Sequence, residues 1–158
     1  MKRIIDHPRP CVPSTADSVI MTVDLEPFGV PNSSERLAVL PVDGGNYVVT
    51  CLPFFTTGIQ FGDLVELRAS DNEFVRVLMS AGLRTLRFSF GDTGSPAEAF
   101  ETIDGRIAAS GLPVEWHGTD HVAILLQDER DQERALSCLA EFISDSYGDL
   151  EIDPEPFA

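Results

Sequence analysis

The sequence predicts an α+β protein: a small antiparallel β-barrel or bent sheet in the N-terminal half, fused to a ferredoxin-like βαββαβ unit in the C-terminal half. Two patterns carry this expectation. From Ser18 to Met79 apolar residues alternate with polar ones in short runs separated by Gly, Asn, Asp and Ser. From Arg84 onward strand-like runs are interleaved with two stretches of helical spacing, in the order β, α, β, β, α, β. Composition sets the scale: 158 residues, 43% hydrophobic and 23% charged, have enough apolar surface for a core, which argues against a disordered chain. The organisation expected is a mobile leader over 1–16, a β unit over 17–80 and an α+β unit over 81–158.

In the leader, Pro8, Pro10 and Pro13 are expected to prevent regular pairing. Val19, Met21, Val23 and Leu25 then alternate as the first strand. RLAVLPVD follows, and Asp43-Gly44-Gly45-Asn46, residues that tolerate positive φ, turn it into YVVTCL. Leu64 to Ala69 and Phe74 to Met79 are a further pair joined by Ser70-Asp71-Asn72-Glu73. Arg84 to Phe90 places Leu86, Phe88 and Phe90 on one face and Thr85, Arg87 and Ser89 on the other. Ser95-Pro96-Ala97-Glu98 reads as a capping box with proline in the first helical position; Phe100, Ile103 and Ile107 keep helical spacing, and Gly111 ends the helix. Val114 to His117 and the apolar run His121 to Gln127 are strands, the second buried on both faces. Asp128 caps the second helix, with core stripe Leu136, Leu139, Ala140 and Ile143 and Gly148 just past its end. A last strand turns Leu150 and Ile152 inward and Asp149, Glu151 and Asp153 outward. The short connection Ser80 to Leu83 implies that the two units pack on each other.

Charge narrows the function. With 26 Asp and Glu against 11 Lys and Arg the net charge is −15, which opposes nucleic acid and anionic membrane surfaces as partners. Lys2, Arg3 and Arg9 against Asp6 make the leader +2, so the remainder carries −17. Between Asp128 and Glu155 ten acidic residues face only Arg130 and Arg134, a local balance of −8. No apolar run is long enough to span a membrane and Met1 to Pro13 lacks the pattern of a signal peptide, so a cytoplasmic location is expected. Cys11, Cys51 and Cys138 are odd in number and widely spaced, which indicates neither a disulfide framework nor a zinc site; buried thiols are expected.

Candidate chemistry is sparse. Glu115, His117 and His121 bracket a turn and offer two or three metal ligands at best, whereas a solvated turn with incidental histidines is the favoured reading. His7 lies in the leader, where nothing in the sequence orients it. Ser89 and Ser95 lack a nucleophile elbow, and Gly91-Asp92-Thr93-Gly94 lacks the clustered cation of a phosphate cradle. No catalytic residue, cofactor or metal is expected. The candidate binding residues are the acidic ones, Asp128, Glu129, Asp131, Glu133, Asp145, Asp149, Glu151 and Asp153, with Trp116 as either an interface anchor or a core residue.

The stretch Leu52-Pro53-Phe54-Phe55-Thr56-Thr57-Gly58-Ile59-Gln60-Phe61-Gly62-Asp63-Leu64-Val65-Glu66 resembles the signature of the bacterial domain of unknown function 4265 family, as do the flanking GGNYVV strand and the placement of Gly82, Thr85 and Arg87. The similarity in layout extends over about residues 18 to 154. The family transfers no activity. It implies small stand-alone bacterial proteins, some beside toxin genes. Physically, Phe54 and Phe55 are expected to plug the barrel end, and Gly58 and Gly62 to permit turns, a structural role. The resulting expectation is a non-enzymatic acidic protein, an immunity-type inhibitor that occludes a basic toxin active site. A small-molecule or regulatory module and a metal-dependent enzyme at Glu115, His117 and His121 are the alternatives.

Overall fold

The structure is a computed structural model that describes residues 1–91, 96, 98–145 and 147–153. It is an α+β fold with ten strands in two sheets and two helices among the described residues. The first sheet holds β1 (Arg3–Ile5), β2 (Val19–Asp24), β3 (Ser33–Pro41), β4 (Tyr47–Val49), β5 (Leu64–Leu67) and β6 (Phe74–Met79) in the order β1-β3-β4-β5-β6, with β2 on the other side of β3. All its pairings are antiparallel except β1 with β3. Inward residues keep the alternation read from sequence: Met21 and Val23, Leu37 and Val39, Val49 and Val65 share one buried cluster with Cys51 and Ile59. The sheet bends but does not close into a barrel. Where β2 approaches the start of β6 the described residues make one isolated bridge, from Thr22 to Glu73 just before β6, and the register of β5 on β6 is interrupted twice.

The second sheet has the order β10-β7-β9-β8, entirely antiparallel, from β7 (Arg84–Phe90), β8 (Val114–His117), β9 (His121–Leu126) and β10 (Gly148–Ile152). Helices α1 (Ala99–Ser110) and α2 (Glu129–Ser144) cover one face, where Leu86, Phe88, Val122, Ile124 and Leu126 meet Ile103, Ile107 and Leu139. β9 is buried on both faces, as its unbroken apolar run implies. Its other face, Ala123 and Leu125, joins Ile5, Leu25, Leu52 and Phe54 in a cluster that cements the two sheets together. The described residues include no helix long and apolar enough to cross a membrane.

Several local expectations are corrected. The leader is not unpaired: Arg3–Ile5 forms a parallel strand ahead of the prolines, and Ile5 is wholly buried. α1 begins at Ala99, three residues after Pro96, because Glu98 takes a left-handed conformation at φ 65° and so stands outside the helix. Ser95 and Ala97 of the expected capping box, and Asp92 to Gly94 of the loop before it, lie outside the described residues. The buried stripe of α2 is Ala135, Cys138, Leu139 and Phe142; Ala140 is exposed, and Asp145 is the C-cap. Gly148 opens β10, so close to β7 that a Cβ there would lie 1.9 Å from the Ser89 carbonyl oxygen.

Candidate functional site

The residues with the most chemistry lie between the sheets, under the segment Leu52 to Thr56. Pro53 prevents this segment from continuing β4 as a paired strand, and the segment is buried, so its backbone groups need side-chain partners. Glu35 on β3 supplies acceptors: one carboxylate oxygen takes the Phe54 amide at 2.5 Å, the other the Phe55 amide at 3.1 Å, the Thr56 amide at 3.0 Å and the Thr56 hydroxyl at 2.8 Å. Glu115 on β8 accepts from the Leu52 amide at 2.7 Å. Arg87 on β7 supplies donors, to the Pro53 carbonyl at 2.9 Å and the Thr56 carbonyl at 2.8 Å, while its third contact is Asp153 at 2.8 Å. Asp153 also accepts from the Gln60 side chain, whose oxygen takes the Thr85 hydroxyl at 2.7 Å. Among the described residues no buried side-chain polar atom lacks a partner.

His7 closes this network from the leader. Its Nε2 is 2.9 Å from Glu35 and its Nδ1 2.8 Å from Glu115, and its ring stacks on Phe54 with centroids 4.1 Å apart and planes 2° from parallel. A carboxylate oxygen only accepts, so a ring flanked by two of them must donate from both nitrogens and is an imidazolium. Burial works against that charge, but the hydrogen bonds and charges of Glu115 and Glu35 outweigh it and raise the His7 pKa to about 9. Burial likewise opposes ionisation of Glu35, and His7 with the Phe54 amide and the Thr56 hydroxyl overcomes it, so Glu35 titrates below its ordinary value. The neighbouring Cys11 thiol is pushed up to about 12 by burial and by Glu115, and is no nucleophile at neutral pH.

Ser89 and His121 form a hydrogen-bonded pair. His121 Nε2 donates to the Phe54 carbonyl at 2.8 Å, which leaves Nδ1 to accept the Ser89 hydroxyl. This arrangement has the order of a nucleophile, a base and an orienting group. Burial, with Arg87 and His117 nearby, holds His121 down at about 4. The His121 ring thereby links the Ser89 hydroxyl to the Phe54 carbonyl. Glu115, His117 and His121 do not assemble as metal ligands: Glu115 faces His7 and the Leu52 amide, and both ring nitrogens of His121 are engaged. The described residues contain no group of three or more His, Cys, Asp or Glu placed to hold a metal ion.

The acidic candidates divide by burial. Asp128, Glu129, Glu133, Asp145, Asp149 and Glu151 are exposed along α2 and β10. Asp153 is 1% exposed and bound to Arg87: it keeps the parity of Asp149 and Glu151, which lie opposite Ser89 and Arg87 on β7, but at its position that face is covered by Gln60 and Arg87. Asp131 is buried in the first turn of α2, accepting from the Gln127 amide at 2.9 Å and pairing with Arg134. Trp116 packs on Phe100 beneath α1, its Nε1 donating to Asp104 at 3.0 Å, and is a core residue. Phe54 and Phe55 plug no barrel; they fill the space between the sheets, with Phe55 stacked on His121.

Sequence reading missed the buried ionic centre, although a signal was present. Glu35 shares strand parity with Leu37 and Val39, and Arg87 lies on the β7 face that turns toward the first sheet. His7 left no signal, since only tertiary contact orients it.

A family model described as Domain of unknown function (DUF4265) matches residues 35–147. The chain belongs to this family. The DUF4265 match includes Glu35, Phe54, Arg87, Glu115 and His121 and begins after His7. Among solved structures, the DUF4265 chain is similar to one described as "Novel crystal structure of a hypothetical protein from Neisseria gonorrhoeae", with a TM-score of 0.58 and 14% identity over 89% of this chain and 96% of that one. That likeness concerns the fold alone. No curated protein matches.

Proposed function

We propose that this DUF4265 protein is a non-enzymatic binding protein of the immunity type, an acidic inhibitor that occludes the basic active site of a toxin-like partner. In this reading its second unit is a ferredoxin-like βαββαβ fold whose α2 and β10 side makes the contact. The observation that carries the reading is the exposed carboxylate surface of Glu129, Glu133, Asp145, Asp149 and Glu151. It also presents two exposed apolar side chains, Tyr147 just before the edge strand β10 and Leu150 on it, the latter exposed rather than inward as its alternation predicts. Such a field speeds encounter with a basic protein, and its carboxylates engage Arg or Lys side chains that otherwise grip an anionic substrate. Co-expression with the product of a neighbouring toxin gene tests it. The expected outcome is a stable complex and restored growth, with affinity falling by about tenfold or more, chiefly through slower association, when Glu129, Glu133, Asp149 and Glu151 are all changed to Lys. A toxin that neither binds nor is neutralised overturns the reading.

One observation favours a second reading, a small-molecule module. A pocket of about 180 Å³ lies between the first sheet and the Ser80 to Leu83 connection, lined by Gln60, Asp63, Val77 and Leu83. A thermal-shift screen against metabolites checks it, since a ligand of the folded state raises Tm.

A further inference from the structure

We propose that Glu35, Glu115 and the Phe54 ring form a binding site for a planar nitrogen cation, and that His7 fills this site in cis as an internal ligand. The site is distinct from the α2 and β10 surface, being built at the β8 edge of the second sheet and on β3 of the first. Three features make it a site rather than a chance ion pair. Two fully buried carboxylates, one from each sheet, direct oxygens at the two opposite nitrogens of one ring, at 2.9 and 2.8 Å. An aromatic face lies parallel to that ring at 4.1 Å, the geometry in which a delocalised cation is held by both dispersion and the ring quadrupole. The carboxylates are also fixed without their occupant: Glu35 is held by the amides of Phe54, Phe55 and Thr56, and Glu115 by the amide of Leu52. The cleft is therefore preorganised by a segment the family match contains, whereas its occupant comes from outside that match.

The tether of the occupant is slight. β1 pairs with β3 over three residues, the ion pairs Lys2–Asp24 and Arg36–Asp6 are exposed, and the described chain between β1 and β2 forms no helix or strand. Ile5, His7 and the half-buried Cys11 are the side chains that anchor the segment in the core. The ligand class follows from the contacts: two N–H donors about one ring-width apart on a flat cation, as in imidazolium or an alkylguanidinium. A fully alkylated cation lacks the donors, and a compact ammonium lacks the flat face.

Chemical rescue in the full chain tests the assignment. His7→Ala is expected to lower Tm by roughly 5 °C or more, and imidazole added below pH 6.5, or methylguanidinium, to restore part of that loss saturably. Neither additive should stabilise the native chain, whose site is filled, and tetramethylammonium should stabilise neither. The double variant His7→Ala/Glu115→Gln should lose the response. Should His7→Ala fail to fold alone, the same measurement is its refolding yield, which is expected to depend on imidazole. Absence of saturable rescue, equal rescue by tetramethylammonium, or undiminished rescue in the double variant overturns the proposal. None of these outcomes depends on whether the protein inhibits a toxin.

Discussion

At the scale of single residues, Arg87 shows how much one buried charge organises. Its guanidinium joins two carbonyls of the Leu52 to Thr56 segment to Asp153, so three acceptors depend on it. Arg87→Met keeps bulk but leaves Asp153 buried beside Gln60 without a cation, and should cost about 3–5 kcal/mol in urea unfolding. Adding Asp153→Asn should recover part of that loss, because the uncompensated charge is then gone; a double variant as unstable as the single one would show that the orphaned carbonyls dominate. Glu35→Gln is the complementary case. The replacement brings an NH2 group against amide donors, and a loss of about 3 kcal/mol is expected, read by the same unfolding experiment. Residue type alone could not distinguish these charges from the surface ones, since Glu35 and Glu66 both occupy strands and only the first faces the core.

At the scale of elements, the decisive feature is that the second sheet is interior on both faces along its central strands β7 and β9. Thr85, Arg87, Ser89, Glu115 and His121 would read as the solvent side of an ordinary two-layer unit, and here they meet the first sheet. β10 completes this arrangement by carrying Asp153 to Arg87, and its entry is set by Gly148. With any Cβ at position 148 placed 1.9 Å from the Ser89 carbonyl, β10 must lift from β7. Gly148→Ala is expected to cost about 3 kcal/mol and to raise hydrogen exchange along β10; unchanged stability would mean that the strand slides without penalty. Gly62 plays a lesser part of the same kind, with φ 87° and a Cβ position 3.0 Å from Ala81, where the chain turns back into β5.

At the scale of the whole molecule, two histidines displaced in opposite directions shape stability against pH. His7 is raised from 6.5 to about 9, so the folded state binds more protons between those values. Its contribution, about 3 kcal/mol, is complete below pH 6.5 and is lost as pH rises through 9. His121 is lowered from 6.5 to about 4, so the unfolded state binds more protons in that interval, and its contribution is complete above 6.5 and lost as pH falls through 4. Glu35, depressed as well, adds to the acid loss below its ordinary value of 4.5. Urea unfolding across pH should therefore give a maximum near 6.5 with both limbs descending. His7→Gln should flatten the alkaline limb and leave the acid one; an alkaline limb unchanged in that variant would refute the imidazolium bridge.

The sequence by itself determined the elements from β2 onward and their order, because periodicity is a local property: alternation marked β2 to β7, an unbroken apolar run marked β9 as a strand buried on both sides, and helical spacing marked α1 and α2, whereas the three-residue β1 is too short to leave a period. It also determined the family, through a glycine-punctuated segment whose turns its residues dictate. Which charges lie inside was decided only by tertiary structure. Trp116, Asp131 and Asp153 left the candidate surface, and His7, Glu35, Glu115 and Arg87 entered the interior. A charge can be buried only where opposite charges and backbone donors converge from distant parts of the chain, and that convergence exists only after the two sheets have closed on each other.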